Sequence, residues 1–264
     1  MKSVTPRMKT EKGDGIGWMI FNHPERHNAL SLDMQEAIPD IISDFSNDES
    51  VRVIVMKGAG GKAFISGADI SEFEERRSSP ALVDEYNAVM DRAAQAFEAL
   101  DKPLIAMIEG FAMGGGLLTA MRADLRVASE ESQFGIPAAR LGIGYGFNSV
   151  RNLVELVGAA NACEILFTGR RFSAEEALHM GLVNQVVSSI ELKPTILSLA
   201  TMIAENAPLT VRLVKAAIRE VSKDLDHRDL GKIELLENIC MESEDYKEGR
   251  RAFLEKRQPR FTGQ

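Results

Sequence analysis

Residues 112–116, Ala-Met-Gly-Gly-Gly, stand between an apolar strand-like run at 104–108 and a helix-like run at 117–121. A strand that turns into a helix through residues without side chains opens the main chain to a ligand oxygen, and the first helical N–H groups have no partner inside the helix. The same glycines suit close packing of a helix on a sheet, and the segment alone is compatible with either use. A second junction of this kind follows the β-branched run 51–56, where Gly58-Ala-Gly-Gly-Lys62 leads into Ala63-Phe-Ile-Ser-Gly-Ala-Asp-Ile70. Each turn can supply one N–H. Reactions that build negative charge on a carbonyl or thioester oxygen need two donors converging on that oxygen, so the pair constrains the chain more than either turn does.

Short apolar strands are expected at 17–21, 51–56, 104–108, 125–128 and 182–187, alternating with longer helical patterns, which indicates an α/β architecture. Helices are expected over 70–77 and 80–100, and after Ser173, where Ser173-x-x-Glu176 forms a capping box and Gly181 supplies the stop. From Lys193 onward strands disappear. Four helical segments follow, broken near Pro208, Asp226 and Ser243, apolar on one face and too thin to fold alone. The reading divides the chain into a core, 1–192, and a helical region, 193–264.

Several function classes are disfavoured. Thirty-nine acidic against 31 basic residues give a net charge of −8, which opposes non-specific binding to nucleic acid. No apolar stretch is long enough to span a membrane, and the first eight residues lack an apolar signal core, so the expected compartment is the cytoplasm. Cys163 and Cys240 are far apart within helical patterns and are expected as reduced core residues; no metal-ligand spacing is present. His23 and His27 are four apart, but Pro24 and the neighbouring asparagines place them on a loop. The segment 58–62 is not a phosphate-binding loop, since Met56 and Ala63 occupy positions that motif reserves for Gly and for Ser or Thr. Gly13-Asp-Gly-Ile-Gly17 and Gly142-Ile-Gly-Tyr-Gly146 lack the dinucleotide spacing, and Ser66 lacks the glycine required two residues before a nucleophile elbow.

Phe21-Asn-His-Pro-Glu-Arg-His-Asn-Ala-Leu30, Ala63-Phe-x-x-Gly-Ala-Asp-Ile70, Ala112-x-Gly-Gly-Gly116 and Phe134-Gly-x-Pro137-x-x-x-Leu-Gly142 resemble the enoyl-CoA hydratase/isomerase, or crotonase, superfamily. The run 167–177, Gly181-Leu-Val-Asn184 and the tail 243–257 extend the likeness over nearly the whole chain. The resemblance implies a spiral core of repeated ββα turns with a C-terminal helical region that packs in a homotrimer or a dimer of trimers. It implies an acyl-CoA thioester as substrate, with CoA part of that substrate and no separate cofactor. The oxyanion donors would be the N–H groups of Ala68 and Gly115. Arg26, Ala29, Ser66, Asp69, Ile70, Pro137 and Lys256 would lie along the bound thioester, although Arg26 and Lys256 also read as solvated surface cations.

The residues depart from the family where its hydratases carry two glutamates: Leu118 and Ala138 stand there. Adding water requires one group to activate it and another to move a proton, and positioned acid–base groups contribute roughly 100- to 10,000-fold each. Hydration is therefore disfavoured, as are the simple isomerases, which usually keep one of the two carboxylates. Tyr145, after Leu141-Gly-x-x, resembles the methylmalonyl-CoA decarboxylase branch, in which the oxyanion hole holds a thioester enolate. That branch departs from this chain too, with a histidine in place of Ala68 and a glutamate in place of Leu118. Hydration by other groups and a catalytically silent acyl-CoA-binding paralogue remain alternatives, and RNA binding, known in one branch, is opposed by the charge.

Plainer roles stand beside these. The Tyr145 hydroxyl could cap a loop carbonyl, Arg140 could pair with an acidic residue at a surface or subunit contact, and Asp69 could cap a helix. Glu72, Glu74 and Glu75 read as a solvated charged face, and Tyr86 as core packing.

Overall fold

The computed structural model describes residues 5–72 and 78–264. In it the continuous apolar runs become strands buried on both faces, as parallel sheets require. Leu104–Ile108 is buried at every position and matches its expected bounds. In chain order the first elements are β1 (Met8–Gly13), β2 (Ile16–Phe21), α1 (Leu32–Asn47), β3 (Val53–Gly58), β4 (Ala63–Ile65), α2 (Pro80–Ala99) and β5 (Leu104–Ile108). There follow β6 (Phe111–Met113), α3 (Gly115–Ala120), β7 (Leu125–Ser129), β8 (Gln133–Gly135), α4 (Ala138–Leu141), α5 (Phe147–Thr168), β9 (Phe172–Ser173), α6 (Ala174–His179) and β10 (Gln185–Val187). The chain ends with α7 (Ser189–Ala204), α8 (Pro208–Val221), α9 (Leu230–Glu242) and α10 (Glu244–Glu255).

The strands form two sheets, ordered β1-β2-β3-β5-β7-β10 and β4-β6-β8-β9. Among the described residues only β1/β2 and β8/β9 pair antiparallel. Three successive turns each place a longer strand in the first sheet, a three-residue strand in the second and then a helix, so the chain climbs as a spiral of ββα turns. The main apolar cluster fills the spiral, with Phe21, Phe45, Phe64, Phe134 and Phe172 fully buried. A second cluster lies on the outer face of the larger sheet, where Leu192, Ile196 and Ala200 of α7 cover Ile16, Val53, Val55 and Ile105. Position 193 thus falls within a helix that is one layer of the sheet's packing.

Three expectations change. Val51 belongs to a turn, its N–H donating to Asp48, so β3 starts at Val53. Leu182 and Val183 are buried, but both amides bond the Ala177 carbonyl and close α6, so β10 starts at Gln185. The capping box at Ser173 and Glu176 forms as expected. Cys163 is exposed, because α5 turns the neighbouring Ala162 and Ile165 inward; Cys240 is half-buried. Tyr86 is buried beside Leu32 and Val89, in the core as expected.

The C-terminal helices are fastened to the spiral by polar groups. The Lys215 ammonium of α8, almost fully buried, donates to Asp124 Oδ2 and to the Lys102 carbonyl, each at 2.7 Å, and Asp124 Oδ2 also accepts from the Leu104 amide. Burial pushes the Lys215 amine below its ordinary value, against the pull of Asp124. An isolated buried ammonium costs more than a missing pair. Asp124→Ala, which leaves the buried ammonium without its carboxylate and strands the Leu104 amide, should lower unfolding free energy by about 2–4 kcal/mol. Lys215→Met should cost less than half of that, and equal losses in chemical denaturation would contradict this account of the joint.

Candidate functional site

The loop after β2 and the segment after β4 meet edge to edge. The Leu30 amide donates to the Gly67 carbonyl and the Asp69 amide to the Leu30 carbonyl, both at 2.8 Å, which makes an isolated parallel bridge between Leu30 and Ala68. In a parallel bridge the residues flanking the paired one make the bonds, so the N–H of Ala68 points away from Leu30. Among the described residues it has no acceptor, and neither has the N–H of Gly115, the first residue of α3.

The three glycines have three different tasks. Gly114 adopts φ 50° and ψ −119°, a conformation closed to residues with a side chain, and turns the chain from β6 into α3. Gly115 is the open one, for a Cβ built on it would stand 3.6 Å from the Ala68 nitrogen in ordinary contact. At Gly116 a Cβ would collide with the Ile65 carbonyl of β4. The close packing considered from the sequence is made by Gly116, which lets α3 rest on β4, and that contact sets Gly115 beside Ala68.

Ala138, the first residue of α4, is buried in the main cluster, and Leu118, Ile143 and Tyr145 pack against it partly buried. The Tyr145 hydroxyl would lie 3.9 Å from a Cβ built on Gly114. It caps no loop carbonyl and makes no hydrogen bond among the described residues. Burial alone pushes its pKa above the ordinary tyrosine value, so it is a neutral donor at physiological pH.

The remaining expected residues flank these. The His27 amide closes the short 3₁₀ turn Pro24–Arg26 on the Pro24 carbonyl, the Ala29 amide donates to the Arg26 carbonyl in the next turn, and the Ser66 amide donates to the His27 carbonyl. Asp69 Oδ1 accepts from the amide and hydroxyl of Ser71, capping a single turn, Ile70–Glu72; the rest of the helix expected to 77, with Glu74 and Glu75, lies outside the described residues. Burial opposes ionisation of Asp69, but the Ser71 bonds and the nearby Arg26 outweigh it and hold the carboxyl below its ordinary value. Ile70 is exposed, and Pro137 caps α4 half-buried. Arg26 is exposed, as is Lys256, which ends α10 in a left-handed conformation; neither forms an ion pair among the described residues. Arg140 also has no acidic partner there, and its stem instead runs under Gly169. Lys256 is not tied to the other site residues by any contact among those described.

Two residues gain roles that the sequence reading did not give them. Glu72 is no solvated charge: its Oε2 accepts from the Leu32 amide at the start of α1, and its other oxygen faces Arg7 at 3.7 Å. Asn28 is completely buried in the loop after β2. An asparagine where the chain needs a left-handed residue was the available signal.

This division of labour among the glycines is measurable. Gly116→Ala should lose about 1–3 kcal/mol or more of stability by overpacking. Gly115→Ala, with space for its methyl group, should stay within about 1 kcal/mol of the parent. The reverse order in thermal or chemical unfolding would contradict the geometry.

Residues 11–264 match the family model described as enoyl-CoA hydratase/isomerase. The chain is 38% identical over 248 residues to a short-chain-enoyl-CoA hydratase of Clostridium acetobutylicum, covering 94% of each protein. It is 32% identical over 245 residues to the methylmalonyl-CoA decarboxylase of Escherichia coli, covering 92% of this chain and 93% of that one. Among solved structures, an enoyl-CoA hydratase/carnithine racemase from Magnetospirillum magneticum superposes with a TM-score of 0.93 at 32% identity, over 98% of this chain and 97% of the other. An enoyl-CoA hydratase/isomerase family protein from Hyphomonas neptunium gives 0.92 at 36% identity over the full length of both. With this sequence match along its length and the same spiral architecture, the chain belongs to the enoyl-CoA hydratase/isomerase family.

Proposed function

We propose that the protein binds an acyl-CoA thioester, holds the thioester oxygen between the N–H groups of Ala68 and Gly115, and stabilises an enolate formed by loss of a carboxylate rather than by hydration. The observation that carries this reading is the pair of unpartnered amides, taken with the apolar Leu118 and Ala138 at the positions where the family resemblance puts the acid–base groups of hydration. In the proposed step the bond from the α-carbon to the carboxylate breaks, its electron pair passes into the thioester to form the enolate, CO2 leaves, and the α-carbon then takes a proton. An apolar wall strips water from the carboxylate and favours its departure as neutral CO2.

Tyr145 is assigned the orientation of that carboxylate, as the neutral hydroxyl beside Gly114. Cleavage needs the breaking bond perpendicular to the thioester plane, and a single fixed donor can select that rotamer. A tyrosine here resembles the decarboxylase branch, and support comes from the E. coli decarboxylase, a relative matched over 92% of this chain. The alternative, hydration, draws support from the hydratases of C. acetobutylicum and Syntrophomonas wolfei, which are 38% and 36% identical. Assembly as a trimer or dimer of trimers is part of the proposal, supported by the exposed apolar row Val214, Ile218 and Val221 on α8 beside Leu235 and Ile239 on α9.

The test is CO2 release from a panel of CoA thioesters carrying a carboxylate on the α-carbon. Turnover is expected, and Tyr145→Phe should lower it about 10- to 100-fold through misorientation. Because burial raises the Tyr145 pKa, ionisation of this residue should cause no loss of rate up to about pH 9. No release from any member of the panel, or an unaffected Tyr145→Phe variant, would overturn the assignment; thioester binding without turnover of any kind would mark a silent binder.

A further inference from the structure

Every polar atom of the Asn28 side chain is engaged. Its Oδ1 accepts from the His23 amide at 2.8 Å, and its Nδ2 donates to the carbonyls of Ala59 at 2.9 Å and Ala63 at 2.7 Å. One amide group thereby joins three stretches of chain: the loop after β2, the glycine turn 58–62 and the first residue of β4. Room for it depends on Gly58, where a Cβ would lie 2.7 Å from Nδ2. Asn28 itself is completely buried and left-handed, with φ 55°.

From this anchor the two arms run on together towards Ala68. The Ser66 amide donates to His27 at 3.1 Å, the Leu30 amide to Gly67 and the Asp69 amide to Leu30, so residues 27–30 and 66–69 form a short parallel ladder. The ladder leaves the Ala68 N–H on its outer side, and no other backbone bond restrains that peptide among the described residues. Its direction is inherited from the ladder, and the start of the ladder is fixed by the Asn28 amide.

We infer that Asn28 is a positioning residue for the Ala68 N–H, acting through the 27–30 ladder, so that its buried amide sets how strongly the site polarises a thioester carbonyl. The inference rests on the reading of Ala68 and Gly115 as the two donors. Displacing a donor by a fraction of a bond length weakens stabilisation of the charge that develops on the thioester oxygen far more than it weakens binding of the uncharged ground state. Loss of Asn28 should therefore appear in kcat and in carbonyl polarisation, and little in affinity.

The variants are Asn28→Gly, which keeps the left-handed backbone and removes all three bonds, and Asn28→Asp, which keeps the acceptor and loses both donors. The probe is 2,4-hexadienoyl-CoA, whose conjugated thioester carbonyl stretch falls in frequency when hydrogen-bonded, read by difference infrared or Raman spectroscopy on the folded full-length protein. The parent should shift the stretch; the variants should show about half of that shift or less, dissociation constants within about threefold of the parent, and turnover lowered about 10-fold or more. A full shift in either folded variant overturns the inference. No shift in the parent overturns the two-donor reading and the inference with it, whereas a shift in the parent without CO2 release would overturn decarboxylation alone and leave the role of Asn28 to be decided by the variants.

Discussion

The close approach of Gly116 to the Ile65 carbonyl fixes where everything else in the site can lie. Because no side chain separates them, α3 starts directly against β4, one strand of the smaller sheet, and the preceding residue is delivered beside Ala68. The spiral supplies the two partners from successive turns: β4 and its continuation from one, β6 and α3 from the next. Two backbone amides from different turns then become neighbours through packing alone. Such donors are set before any ligand arrives and cost little reorganisation during reaction, which is where electrostatic stabilisation of a developing oxyanion gains its strength.

That arrangement leaves the identity of the reaction to the side chains around it. Leu118 on α3 and Ala138 at the start of α4 sit on elements that could present carboxylates, and both are apolar. In the proposed reaction they serve as a poorly solvating wall. In that proposal Tyr145 adds one neutral donor, its pKa raised above the ordinary tyrosine value by burial. A charge that begins on the substrate suits such a wall better than a charge that must be generated on water, and this contrast orders the two chemistries.

The sequence made the backbone parts legible and the side-chain consequences less so. Leu104–Ile108 and the Ser173 box were readable because a fully apolar run and a capping pair each carry their own local cause. The strands of the second sheet, two or three residues each, are too short to show any periodicity. Val51, Leu182 and Val183 are apolar because they are buried, and their amides serve turns, which hydrophobicity cannot distinguish from a strand. The glycine triplet revealed a close approach but not which residue made it. Glu72 looked solvated because its partners, the Leu32 amide and Arg7, are far away in sequence. Asn28 lies within a motif of the family resemblance, but its three partners come together only where two loops and a strand meet around it.

The most direct measurement is hydration of crotonyl-CoA by the purified protein, followed as loss of the enoyl-thioester absorbance beside a relative that carries both glutamates. The account predicts steady absorbance with this protein and rapid loss with the relative, because Leu118 and Ala138 can neither activate water nor move its proton. Turnover comparable to the relative's would contradict it, and would require a water-activating group outside the apolar wall.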